Sequence, residues 1–175
     1  MKSILTLSEW AGGKEQFEKL TKLFYANVLK DNLPAPVFKN MSAEHTKHVA
    51  HFIAEVFSGE KFYTEGDKGS HAKMIADHFN KILNENQRNR WMQFFLEAAD
   101  DIGLANDPEF RLALVSYLEW GSRIAVINSN TTTSTIEEDA PMPKWDGEKQ
   151  VTKIETSKDI FTTALINLNL ITSFL

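Results

Sequence analysis

The chain has 175 residues, a formal net charge of −5 and no cysteine. That length suits one compact domain with a real core. Without thiols there can be no disulfide, no thiolate zinc site and no cysteine-bound iron. The mild acidity is spread along the chain and offers no basic face for nucleic-acid phosphates. Histidine is left as the natural ligand for a borderline metal.

Met1 to Trp10 is too short and too mixed in polarity for a signal peptide. No apolar run approaches the roughly 18 residues of a membrane span. A cytoplasmic protein with no membrane partner is expected.

From Gly13 to about Val126 the apolar residues recur at helical spacing. Phe17, Leu20, Phe24 and Val28 share a face of a first helix, Lys14 to about Lys30. Pro34 and Pro36 make the next stretch irregular. Ser42 is placed to cap a second helix, Ala43 to about Phe57, which Gly59 stops. After a glycine-containing loop, Ser70 caps a third helix that runs through about Asn84. A fourth spans about Gln87 to Ile102. Asp107-Pro108-Glu109 opens a fifth, to about Asn128. No strand pair is convincing, so the fold class is all-α.

Residues 1–128 read as one domain and 129–175 as a C-terminal extension. The extension begins with a Ser/Thr/Asn-rich linker, partly disordered in expectation. Pro141-Met-Pro-Lys-Trp145 follows as an extended segment, and Val151 to Leu175 either docks as a last helix or hangs loose.

Helical steps of about 100° place His71, Met74, Ile75, His78 and Ile82 on one narrow stripe of the third helix. A neutral imidazole in the middle of an apolar face needs a partner for each nitrogen. Two readings stay open for His78: a core histidine bonded to oxygen atoms, or a metal ligand whose other nitrogen donates to a carbonyl. In the second helix His45, Val49, Phe52 and Val56 share a stripe. His48 and His51 rotate away from it, toward a solvated face. A metal cluster of these three histidines is the weaker alternative, because their spacing spreads them over a broad arc. Trp91, Phe95, Ala98 and Ile102 form the inward stripe of the fourth helix, and Tyr25 borders that of the first. Together these stripes describe one apolar cavity with one histidine on a wall and Tyr25, His45 and Trp91 as polar donors.

The ordered set Gly12-Gly13, Phe17, Phe24-Tyr25-Ala26, Val37-Phe38, Phe52, Glu55 to Gly59, Tyr63, Gly69-Ser-His71, Met74, His78, Arg90-Trp91-Met92 and Tyr117-Leu-Glu119 resembles the truncated haemoglobins. The spacings from His71 to His78 and from His78 to Trp91 suit the second group, often called group O. The resemblance covers roughly Leu7 to Ser129. It implies a two-over-two helical sandwich around haem b, with His78 as proximal iron ligand, Tyr25 as distal tyrosine and Trp91 as the group's tryptophan. Phe38 matches an aromatic that packs on the haem and is tyrosine in several relatives. His45 falls where a small residue is common, so it adds a hydrogen-bond donor or a sixth iron ligand. Val49 lies one turn on, over the haem. Phe52, Tyr63, His71, Met74, Ile75, Ile82 and Phe95 complete the expected cofactor walls. The Pro141 to Gly147 segment resembles an extension in some bacterial members, and the last 28 residues lie outside the resemblance.

The resemblance implies dioxygen as ligand, with carbon monoxide and nitric oxide alongside. Each hydrogen bond from Tyr25, Trp91 or His45 is worth about 1–3 kcal/mol in a dry pocket. Two of them would slow dioxygen escape by roughly ten- to a thousandfold. Slow release argues against simple carriage, and leaves storage, sensing or redox chemistry such as nitric-oxide dioxygenation or peroxide reduction, both needing an unidentified reductase. A haem-free helical interaction module is the rival class. Either a monomer or a homodimer suits the sequence.

Overall fold

The computed structural model describes residues 5–134 and 136–146. Six α-helices follow in order: α1 (Leu7–Ala11), α2 (Lys14–Val28), α3 (His45–Ser58), α4 (His71–Ala76), α5 (Glu85–Asp101) and α6 (Pro108–Ser129). A 3₁₀ turn at Ala35–Phe38 and a π turn at Phe62–Gly66 interrupt the connections. There is no β-strand among the described residues. α2 packs across both α3 and α5, and α5 pairs with α6. The result is the all-α fold expected from the residues, in the two-over-two sandwich that the resemblance implies.

Local chemistry explains most boundaries. Thr6 and Glu9 form a reciprocal capping box at 3.1 and 2.8 Å, which starts α1. This five-residue helix escaped the periodicity reading because little more than one turn carries no measurable period. α2 stops two residues short of the expected Lys30. Asp31 Oδ1 then accepts the Leu33 N–H at 2.9 Å and opens the proline loop. Asn84 with Gln87, and Asp107 with Pro108 at the first position, start α5 and α6.

Two expectations need correction. Ser42 does not cap α3. Its carbonyl accepts the His45 N–H at 3.1 Å in a turn, and the helix starts at His45. The third expected helix, α4, does not reach Asn84 but ends at Ala76. Beyond it Asn80 and Ile82 adopt φ of 58° and 51°, in the left-handed region. Their N–H groups donate to the carbonyls of Thr131 and Ser129, at 3.3 and 3.1 Å. Pairing with the end of α6 has replaced the intrahelical bonds.

Phe17, Leu20, Phe24 and Val28 are all fully buried, as their spacing requires. Phe24 is the centre of an aromatic cluster, 5.2 Å from both Trp91 and Phe95 and 4.7 Å from Tyr25. Burying each such side chain stabilises the fold by about 1.5–3 kcal/mol. After α6 the chain turns back over the helices. Trp145 is buried at 6 % exposure, its ring 5.7 Å from Tyr117 and 5.9 Å from Trp120. The Val151 to Leu175 stretch lies outside the described residues.

Candidate functional site

Between α2, α3, α4 and α6 lies a cavity of about 510 Å³. That is within the range of sites for a compact organic cofactor. Tyr25, Phe38, His45, Val49, Phe52, Tyr63, His71, Met74, Ile75, His78 and Trp91 all line it. Six separate elements therefore deliver the residues that the sequence stripes and the resemblance singled out.

His78 sits two residues past the end of α4. Its Nδ1 lies 2.8 Å from the Met74 carbonyl. A carbonyl only accepts, so Nδ1 must carry the proton, and Nε2 keeps its lone pair. Nε2 has no hydrogen-bond partner among the described residues. Burial holds this imidazole below its ordinary proton affinity. The same short α4 brings Met74 and Ile75 onto the wall beside it.

Across the cavity α2 and α3 place Tyr25 and His45 together, hydroxyl to Nε2 at 2.9 Å. Phe38 from the 3₁₀ turn stands edge-on to Tyr25 with centroids 5.3 Å apart. Burial raises the Tyr25 pKa, so the hydroxyl keeps its proton. Burial likewise lowers the pKa of His45, which also feels the charges of Asp77, His78, His48 and Lys81. His45 and His78 thus border one cavity within each other's electrostatic reach. Trp91 stacks on Phe95 at 5.2 Å, and its indole N–H makes no hydrogen bond to the described residues.

Some expected site residues lie elsewhere. Ile82 is 72 % exposed and does not touch the cavity, because α4 ends before it and the chain swings out. Phe95 is fully buried but stands behind Trp91, so it supports the wall rather than forming it. His51 is not on a solvated face. It is buried, with Nε2 2.8 Å from Glu18 and Nδ1 2.8 Å from Asp67 Oδ2. His48 is half-buried and borders the cavity. The three histidines of α3 thus meet three different surroundings.

Sequence reasoning missed several lining residues. Leu118, Gly121 and Ala125 recur at helical spacing on α6, a stripe that could have been read. Pro143 of the extension has no local signal at all, because only the return of the chain brings it there. Glu55 was part of the resemblance without a role. Its buried carboxylate accepts the Tyr63 and Thr64 N–H groups at 2.8 and 2.9 Å and the Thr64 hydroxyl at 2.8 Å. It thereby fixes the turn that carries Tyr63.

An all-helical two-over-two sandwich enclosing a histidine-bearing apolar cavity is the architecture of a small globin. The sequence profile of the Bacterial-like globin family matches residues 6–122, and the chain belongs to that family. A search of curated proteins by sequence finds no match. Among solved structures, the chain resembles the group II truncated haemoglobin of Bacillus anthracis at 25 % identity and a TM-score of 0.64, over 77 % of this chain and 98 % of that one. It resembles the truncated oxygen-avid haemoglobin of Bacillus subtilis at 25 % identity and a TM-score of 0.61, over 70 % and 99 %. The fold also matches a thermostable haemoglobin from Thermobifida fusca at 24 % identity and a TM-score of 0.60, over 70 % and 97 %. No helix among the described residues is long and apolar enough to cross a membrane.

Proposed function

We propose that this chain binds haem b through His78 and takes small diatomic ligands there, dioxygen above all, with carbon monoxide and nitric oxide as others. The observation that carries this reading is the state of His78. Its Nδ1–H is locked on the Met74 carbonyl at 2.8 Å, and Nε2 is left with a lone pair beside an apolar cavity of about 510 Å³. A core histidine would have used both nitrogens. A metal-binding histidine uses this arrangement, because the carbonyl fixes tautomer and ring orientation. The donor set therefore fits a haem.

When bound through His78, haem would supply an iron able to take a small diatomic ligand. The residues of the chain do the rest. Phe38, Val49, Phe52, Met74 and Ile75 exclude water from the cavity. Tyr25 holds a hydroxyl proton beside the ligand space, and its oxygen accepts from His45 Nε2–H at 2.9 Å in the tautomer that leaves that proton for the ligand. Trp91 supplies a second donor, its indole N–H. The Tyr25–His45 contact also bears on His45 as a sixth ligand, because that nitrogen is already engaged. The oxygen avidity named for the Bacillus subtilis relative agrees with a distal space holding several donors.

The Tyr25–His45 pair favours one further reading, redox chemistry at the same site, either nitric-oxide dioxygenation or peroxide reduction with an unidentified reductase. We take residues 1–128 as the globin unit, 129–175 as its extension and the cytoplasm as the compartment, in a monomer or homodimer. The absorption spectrum of the ferric and ferrous protein, with and without carbon monoxide, tests the main reading. A Soret band that shifts with carbon monoxide supports it. A colourless protein after expression with ample haem points instead to the haem-free interaction module. If His78→Ala keeps the same band and shifts, the iron ligand lies elsewhere. Rapid mixing of the dioxygen-loaded protein with nitric oxide separates binder from enzyme, through stoichiometric nitrate or its absence.

A further inference from the structure

The segment that carries His78 is poorly equipped to hold its own position. α4 has six residues, and a helix that short is marginal without tertiary support. The chain then continues in tight turns through His78, whose N–H donates to the Ile75 carbonyl at 3.0 Å, and passes through two left-handed residues. Something outside the segment must fix it, and the support comes from the chain after α6 and from the last residue of that helix.

At the front, His71 Nδ1 donates to the Pro141 carbonyl at 3.0 Å. At the back, the Asn80 and Ile82 N–H groups donate to the Thr131 and Ser129 carbonyls, at 3.3 and 3.1 Å. The Leu83 N–H donates to Ser129 Oγ at 2.9 Å. His78 lies between these two sets of bonds. The extended piece is itself anchored. The Trp145 N–H donates to the Val56 carbonyl of α3 at 2.9 Å, and its ring is buried against Tyr117 and Trp120 of α6. Between these anchors Pro143 is buried and borders the cavity.

We propose that Ser129, Thr131, Pro141, Pro143 and Trp145 form a clamp of the cofactor site, which fixes the His78 segment at both ends and closes the cavity with Pro143. Trp145 and His71 are positioning residues, acting on His78 through the backbone they hold. The idea rests on the haem reading above for its consequence, while the clamp itself can be tested in the cofactor-free chain.

Two measurements on the full-length protein decide it. In the apoprotein, hydrogen exchange of the amides of residues 71–83 in Trp145→Ala should speed by about tenfold, the factor for losing roughly one net hydrogen bond, while α2 amides keep their rates. In the haem-loaded protein the same variant should lose haem to an excess of a competing apoglobin about tenfold faster, with a shifted or broadened iron–histidine stretching band in the ferrous state. Trp145→Phe, which keeps a buried ring, should stay close to wild type in both. Exchange and haem loss in Trp145→Ala that match wild type would overturn the clamp. If that variant does not fold, His71→Leu carries the test, with faster exchange over 71–76 expected and unchanged exchange counting against the clamp. A wild-type chain that takes up no haem would remove the functional reading but leave the exchange result to judge the clamp.

Discussion

The Tyr25 hydroxyl and His45 Nε2 lie 2.9 Å apart on the wall opposite His78. This pairing joins two residues that sequence stripes could only place near one cavity. It engages the Nε2 nitrogen of His45 with a neighbour inside the cavity. Tyr25→Phe removes that neighbour. Two consequences should appear together. Dioxygen release speeds by about tenfold, for a hydrogen bond of about 1.4 kcal/mol. The ferric spectrum moves toward a low-spin, two-histidine form as His45 Nε2 is released. Stopped-flow release rates and the ferric absorption spectrum measure both, and a variant unchanged in either would sever the link between them.

His78 depends on one bond for its orientation, the 2.8 Å contact to the Met74 carbonyl. His78→Gly should leave a space for free imidazole. The variant should bind haem weakly alone, and added imidazole should restore the wild-type carbon monoxide spectrum. Failure of imidazole to restore it, in a folded variant, would mean that the ring is not the iron ligand.

Burial holds His45, His71 and His78 below the ordinary histidine value of 6.5. Below that value the unfolded chain takes up protons that the native chain resists, so acid favours unfolding. The apoprotein should therefore lose stability as pH falls from about 6.5, with no slope from these groups well above it. Urea midpoints at about pH 7.5 and pH 5.5 check the sign. Equal midpoints would show that the buried rings titrate as free ones do.

Glu55 satisfies two backbone N–H groups and one hydroxyl at the turn that holds Tyr63. Glu55→Ala leaves those donors without an acceptor, at about 1–3 kcal/mol for each one that water cannot reach. A loss of about 2–4 kcal/mol in urea unfolding is expected, with Glu55→Gln recovering part of it. A loss under about 0.5 kcal/mol would mean that water replaces the carboxylate.

The aromatic centre gives the largest single effect. Phe24 is fully buried against Trp91, Phe95 and Tyr25. Phe24→Ala should cost about 3–5 kcal/mol, through lost burial and the cavity left behind. Phe24→Leu should cost less. An alanine variant within about 1 kcal/mol of wild type would show that the core collapses around the gap.

Where periodicity carried the signal, the sequence was legible. Phe17, Leu20, Phe24 and Val28 repeat at helical spacing because one face must leave water, and all four are buried. Asp107 starts α6 because its short polar side chain reaches a nearby N–H group, as the sequence indicates, whereas Asn84, read as the end of the third helix, caps α5 instead. The histidine stripe was legible only in part. His71 and His78 do border one cavity, but Ile82 does not, since nothing local announces that α4 ends at Ala76. His51 was misread because periodicity knows only one apolar face. Its partners Glu18 and Asp67 come from elsewhere in the chain.

By itself the sequence determined the longer helices α2, α3, α5 and α6, their apolar faces and the ordered residues that mark the globin family, because these follow from local spacing and side-chain chemistry. Only the tertiary structure decided that His45 turns to Tyr25 and that the chain beyond α6 returns to the His78 segment. Those outcomes depend on groups that meet from distant parts of the chain, where a few tenths of an ångström decide whether a hydrogen bond forms.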